Sequence, residues 1–302
     1  MTDEPEGMSR SSGQTSLATF DCGKRSEVSH PNKQKDRLLV DSQLRFEDNV
    51  LSLLGRSRHA VTPTELVLVP VDLHRRVIKH RLAGENQPRD SVQLCKPVDV
   101  AAELIEAKTG TQPGTTDRID RLPLLEEILE EHTEIADRFG VLFGVPPVDS
   151  VKLVEQARTE VEAVTGYHPE RIEGVRNWCQ KQNGPLGADA LDLLAATVET
   201  ERHLRYQTDR VTSNEALVRW ACREVLGSDG GLWQQRYPTI RRVWFCGAST
   251  VSASLVDFLT CLLSTTNVGL HVYLRNTSGP LIRKRLPQML GIESPGNEVF
   301  DI

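Results

Sequence analysis

Arg241-Arg-Val-Trp-Phe-Cys-Gly-Ala-Ser-Thr-Val-Ser-Ala-Ser-Leu-Val-Asp-Phe-Leu-Thr-Cys-Leu-Leu-Ser-Thr-Thr-Asn-Val-Gly-Leu-His-Val-Tyr-Leu-Arg275 reads as strand, tight turn, helix, strand. Val243 to Cys246 is a short apolar run broken by Gly247, and Leu255, Val256, Phe258, Leu259, Leu262 and Leu263 then recur at helical spacing. Val268 to Leu274 returns to an apolar run of strand length. Two strands joined by such a helix run parallel with a right-handed crossover. Open α/β sheets place ligands at the carboxyl ends of their strands. The turn Cys246, Gly247, Ser249, Thr250 is therefore the first place to look for chemistry.

Working outward, residues 38–110 alternate in the same manner. Val40, Leu44, Val50, Leu51 and Leu54 predict an amphipathic helix ending at Gly55, and Glu65-Leu-Val-Leu-Val-Pro70 a buried strand. Asp72 to Leu82 predicts a helix, Val92 to Cys95 a strand, and Pro97 the start of a helix ending at Gly110. That α-β-α-β-α order belongs to a parallel sheet covered on both faces. Residues 111–240 read as helices alone: one opened by Pro123, then Val148 to Val164, Pro169 to Lys181, Ala188 to Leu204 and Asn214 to Leu226. This block is an all-α insertion, and residues 241–302 form the second part of the α/β domain, closing with a short helix over Leu281 to Leu290. Residues 1–37 are polar and predict a disordered tail. Because a strand has just been laid down, the end of the chain reads as abrupt.

The net charge of −6 argues against a chain built mainly to coat nucleic acid, while clustered arginines leave room for a local basic face. Two helices carry such clusters: His74, Arg75, Arg76 and Lys79 with His80 and Arg81, and Arg283, Lys284 and Arg285. Six cysteines lie far apart with no C-x-x-C pair, which excludes a disulfide framework and a zinc site as readings. There is no apolar leader and no run of membrane-spanning length, so the expectation is a reduced, cytoplasmic protein.

The turn after Val243 to Cys246 supports three readings. An NTPase metal site needs a carboxylate at the end of the strand, and here stand Cys246 and Gly247. The tail's Cys22-Gly-Lys-Arg-Ser26 lacks the first glycine, the Ser or Thr after Lys and the preceding strand of a phosphate loop. A nucleophile elbow would use Gly247 and Ser249 with Asp257 and His271 as acid and base. However, Val251 takes the last glycine's place, Asp257 lies on the elbow's own helix and His271 inside a strand. The third reading is structural: Gly247 permits the turn and Ser252 or Ser254 caps the helix, with a box-like Ser254-x-x-Asp257. It explains the turn without chemistry. Asp99 with Glu106-Ala-Lys108 mimics a magnesium nuclease centre, but these residues share one helix and point to different faces. His132, His168 and His203 stand alone in the helical block and read as surface or capping residues.

Several stretches nevertheless resemble one family. Leu66-Val-Leu-Val-Pro-Val-Asp-Leu-His-Arg-Arg76, Val92-Gln-Leu-Cys-Lys-Pro-Val-Asp-Val-Ala-Ala-Glu-Leu104, Asp117-Arg-Ile-Asp-Arg-Leu-Pro-Leu-Leu-Glu126 and Tyr237 to Leu259 look like the N-terminal region of AddB/RecB-type helicase–nuclease proteins. The likeness covers roughly residues 62–300 and is greatest to the UvrD-related, AddB-like proteins of haloarchaea. It implies a P-loop-NTPase-like, helicase-type parallel sheet with a helical insertion, and a place in DNA repair or recombination. ATP and magnesium belong to the family's activity. This sequence lacks the phosphate loop, the metal-binding acid and the nuclease domain, so no cofactor and no catalysis are expected of it. The leading expectation is a non-catalytic helicase-like module, a short or truncated relative, that contacts DNA or a helicase or nuclease subunit and no membrane. The alternatives are a protein–protein module completing another chain's sheet and a serine hydrolase using Ser249.

Overall fold

The structure is a computed structural model that describes residues 43–47, 62–70, 72–84, 92–146, 149–182, 184–248, 250–274 and 279–300. The polar tail, the Cys22–Ser26 segment, most of the helix predicted before Gly55, and Ser249 lie outside the described residues. In chain order the elements are β1 (Leu44–Glu47), β2 (Glu65–Leu68), α1 (Asp72–Gly84), β3 (Val92–Cys95), α2 (Pro97–Thr109), α3 (Arg118–Glu131), α4 (Thr133–Phe143), α5 (Val151–Thr165), α6 (Pro169–Lys181), α7 (Pro185–Gln207), α8 (Asn214–Gly227), α9 (Gly231–Arg236), β4 (Arg242–Ala248), α10 (Ala253–Thr265), β5 (Gly269–Leu274) and α11 (Gly279–Met289).

Among the described residues the strands form one five-stranded sheet in the order β1-β5-β4-β2-β3, every pair parallel. The strand-helix-strand reading of residues 241–275 holds, as do the strands and helices read between residues 65 and 110, but Gly247, expected to break the strand, lies within β4, which shifts register between Cys246 and Ala248 and runs on to Ala248. Residues 44–47 differ: they form a strand where a helix was expected. Leu44 and Phe46 pack with the main core and Leu44 pairs with Leu270. The pairing surface offered by β5 overrides the longer helical spacing. The second difference is Pro123, expected to open a helix but lying inside α3. That helix begins five residues earlier because the Asp117 carboxylate accepts from the amides of Ile119 and Asp120 at 2.7 and 2.8 Å.

The sheet has two unlike faces. On one, Leu66, Leu68, Val243, Phe245, Leu270 and Val272 form a single large core with α2, α8, α9, α10 and α11. On the other, Val67, Trp244 and Cys246 pack with Ile78 of α1. Along this second face runs a polar strip that the sequence did not announce. Trp244 donates its indole N–H to Glu65 at 2.5 Å, Arg242 also pairs with Glu65, Trp244 stacks on His271 at 4.4 Å, and His271 Nδ1 meets Glu47 at 2.7 Å. Glu65 and Trp244 are fully buried.

The helical block divides in two. α8 and α9 belong to the core of the sheet, whereas α3, α4, α5 and α7 surround a core of their own centred on Ile128, Phe139, Val154 and Ala196. Between the two parts lies a buried lattice of charge. Arg121 pairs with Glu155, Arg158 with Glu155, Glu162 and Glu201, Arg219 with Glu162 and Glu298, and Arg205 with Glu201 and Glu298. Arg223 completes it on Glu298. Arg158 and Arg219 are all but sealed from solvent, at 1 % and 0 % exposure. One further pair, Arg171 of α6 with the fully buried Asp257 of α10, ties the helices to the sheet.

Burial by itself would raise the Glu298 carboxyl, but the Arg219, Arg205 and Arg223 guanidiniums outweigh it and hold the group at about 2. A carboxylate held below its usual range adds stability that is complete above its unfolded-state value, 4.5, and is lost as pH falls toward 2. Glu298→Gln should therefore cost about 3 kcal/mol near neutral pH. In urea melts at stepped pH, the gap between variant and parent should narrow below pH 4.5. A gap that stays constant down to pH 2.5 would refute this account of Glu298.

Candidate functional site

β2 and β4 are neighbours whose onward connections diverge, β2 through α1 to β3 and β4 through α10 to β5 on the opposite side. Such a divergence leaves a crevice at the carboxyl ends of the two strands, the position where open α/β sheets bind ligands. Its walls are the first turn of α1, the end of β3 and the turn after β4. At the β3 side Lys96 forms a 2.8 Å ion pair with Asp72, and that hydrogen bond, reinforced by the charges of Lys96, Arg75 and Arg76, holds the Asp72 carboxyl below its usual range.

Across the crevice His74 and Gly247 meet. Gly247 has φ +79°, and a Cβ built there would stand 2.6 Å from His74 Nδ1. Only glycine gives both the backbone angle and the clearance. The His74 Nδ1 and Arg75 Nε atoms are buried and have no hydrogen-bond partner among the described residues. Beyond them Arg76, Lys79, His80 and Arg81 are exposed along α1.

The second basic cluster goes elsewhere. On α11, Leu286 is buried in the main core and Arg283 lies 5.2 Å above the Phe46 ring. Arg283, Lys284 and Arg285 thus flank the face of the sheet opposite α1, and the two clusters do not merge into one patch.

Two side chains of the turn are described, those of Cys246 and Thr250. Cys246 is fully buried, and burial pushes its thiol up to about 12, far from a thiolate at neutral pH. Thr250 is exposed. The acid and base imagined for an elbow are separated by the sheet: Asp257 is bound to Arg171 on the α10 side, and His271 is stacked on Trp244 on the α1 side. Ser252 caps α10, accepting from the Leu255 amide at 3.4 Å, whereas Ser254 is buried within the helix and Asp257 makes no box with it. Asp99 accepts from the Lys96 amide at 3.1 Å as part of the α2 cap, the opposite of a nuclease ligand.

A family model described as Halobacterial UvrD-like protein matches residues 28–301. The chain belongs to this family. The match spans both parts of the α/β domain and the helical block between them, in agreement with a helicase-like module of α/β type. A comparison with curated proteins gives no match. Among the described residues no helix is long and apolar enough to cross a membrane, no group of three or more metal-ligating side chains occurs, and the five cysteines are free and buried.

Sequence reasoning missed two histidine roles and the charged lattice. His132 and His203, read as isolated, lie with their rings tilted and the centroids 3.8 Å apart, and burial followed by the His132 charge holds His203 below its usual value. His168 caps α6 as expected, accepting from the Glu170 amide at 3.2 Å. The lattice had a signal in Glu155-x-x-Arg158-x-x-x-Glu162, one stripe of a helix, although that spacing also describes an ordinary solvated face.

Gly247→Ala should destabilise the protein by about 1–3 kcal/mol through the backbone angle and the clash with the imidazole. Shortening the imidazole in Gly247→Ala/His74→Ala should restore part of the loss in a denaturant melt. Strict additivity of the two substitutions would show that the contact is not made.

Proposed function

We propose that this protein is a non-catalytic, nucleic-acid-binding helicase-like module serving DNA repair or recombination, of the AddB/RecB-type lineage its quoted motifs resemble. The observation that carries this reading is α1, which sets His74 and Arg75 at the topological switch point and presents Arg76, Lys79, His80 and Arg81 to solvent on one short helix. Four cationic or ionisable side chains lie exposed on a helix at the carboxyl edge of a sheet, and phosphate contact is what gives nucleic-acid-binding modules their affinity. With an overall charge of −6, local cationic surfaces such as this one supply the attraction.

The absence of hydrolysis is part of the same proposal. Close to its end β4 carries a neutral buried thiol, Cys246, and Gly247 where a metal-holding carboxylate would stand. The module acts by holding DNA, or by holding it for a helicase or nuclease subunit that performs the chemistry, and it works without ATP or magnesium of its own. The cytoplasm is its place of action.

Fluorescence anisotropy with single-stranded and duplex DNA at several salt concentrations tests this. The parent protein should bind at low salt, with log affinity falling linearly against log salt. Arg76→Ala/Lys79→Ala/Arg81→Ala should weaken binding of all sequences alike and reduce the salt slope by about two to three. An absence of affinity at 20 mM salt, or a slope unchanged in the triple variant, would sink the proposal.

A further inference from the structure

The buried carboxylates of this protein are met by guanidiniums. Glu65, Glu155, Glu162, Glu201, Asp257 and Glu298 each receive an arginine. Glu215, half-buried in the first turn of α8, receives none among the described residues. Its carboxyl accepts one hydrogen bond, from the Ser252 hydroxyl at 2.9 Å.

Glu215 sits where three helices meet. Ser252 is the N-cap of α10 and accepts from the Leu255 amide at 3.4 Å while its own proton goes to Glu215. The Ser254 hydroxyl of the same helix stands 3.4 Å from Ser252 Oγ. On the other side Ser213, the N-cap of α8, donates to Glu162 of α5 at 2.6 Å, which brings a second carboxylate to the same turn of α8. The cations on that side are committed. Arg219, one turn along α8, gives Nε to Glu298 and Nη2 to Glu162, and Arg158 also pairs with Glu162. Beneath this cluster Leu217 and Val218 of α8 share the main core with Leu255 and Val256 of α10.

A carboxylate taken from water needs donors in place of its hydration. One hydroxyl does not replace a full shell, and the neighbouring charge is of the same sign. Burial first and the Glu162 charge second raise the Glu215 carboxyl above its usual range, against the weaker pull of the Ser252 hydrogen bond and the Arg219 charge. The segment that Ser252 ends, Thr250 and Val251, leads from β4 into α10 beside the crevice. We propose that Glu215 and Ser252 form a proton-operated joint: with Glu215 neutral the first turn of α8 closes on the cap of α10, and with Glu215 ionised the joint opens to water and loosens the connection between β4 and α10. The folded chain holds a proton here that the unfolded chain releases near 4.5, so this group's contribution to stability falls as pH rises from 4.5 through the raised folded value. That window lies above the one in which Glu298 acts.

The full chain, labelled with ¹³C at the glutamate carboxyls, is titrated by NMR, and the resonance missing from Glu215→Gln is that of Glu215. Its midpoint should lie above 4.5. Ser252→Ala should move the midpoint further up, because the hydroxyl is the one donor to the carboxyl. Hydrogen exchange of the Leu255 and Val256 amides, corrected for its intrinsic pH dependence, reads the cap of α10. In the parent their protection should fall as pH rises through the midpoint, and in Glu215→Gln it should stay level. In urea melts the variant should match the parent at pH 4.5 and gain on it as pH rises. A midpoint at or below 4.5, a midpoint unmoved by Ser252→Ala, identical exchange profiles in parent and Glu215→Gln, or a gap in the melts that does not change with pH each overturns the proposal. None of these measurements involves DNA, so the joint and the cationic face of α1 are judged apart.

Discussion

Glu298 and the arginines around it are the constraint on which the rest of the structure depends. A carboxylate removed from water is tolerated only where donors replace its hydration. Here Arg205 of α7 and Arg219 and Arg223 of α8 supply them, while Arg219 and Arg158 share Glu162 of α5 and Arg121 of α3 reaches Glu155. Each guanidinium has a fixed planar fork, so these pairs together hold the helices in one relative arrangement. An apolar interface of the same size would allow helices to slide. Buried ion pairs of this kind contribute less to net stability than to a unique arrangement, since desolvation offsets most of their attraction.

That lattice bears on the sheet through α8, which faces two ways. Leu217, Val218, Ala221 and Cys222 enter the core shared with α2 and α10, and Arg219 and Arg223 reach the lattice. Arg171 with Asp257 adds a second tie, from α6 to α10. Asp257 is thereby committed to holding the fold, as His271 is through Trp244 and Glu47. Two side chains that could be drawn into a catalytic triad on paper are consumed by structure, and the thiol near the end of β4 is held neutral by its surroundings.

The crevice between β2 and β4 gathers His74, Arg75, Asp72 and Lys96 around a glycine, and α1 carries further cations outward. Membership of the halobacterial UvrD-like family fits a helicase-like module. In this chain the switch point sets His74 and Arg75 beside Gly247.

The sequence by itself determined the strand-helix-strand unit of residues 241–275, the strands at Glu65 and Val92, and the bounds of α2 and α8 within a residue or two. These follow from local periodicity and from caps, which are written in neighbouring residues. Residues 44–47 were misread because a strand four residues long has no period strong enough to outweigh a helical spacing drawn from both flanks, and β5 alone decides it. Pro123 was misread because the Asp117 cap, not the proline, sets the start of α3. Only the tertiary structure decided that His74 faces Gly247, that the two basic clusters lie on opposite faces of the sheet, and that Glu298 gathers arginines from α7 and α8, up to 93 residues away. Those contacts join residues distant in the chain, and side-chain charge carries no mark of its partner until the backbone brings the two together.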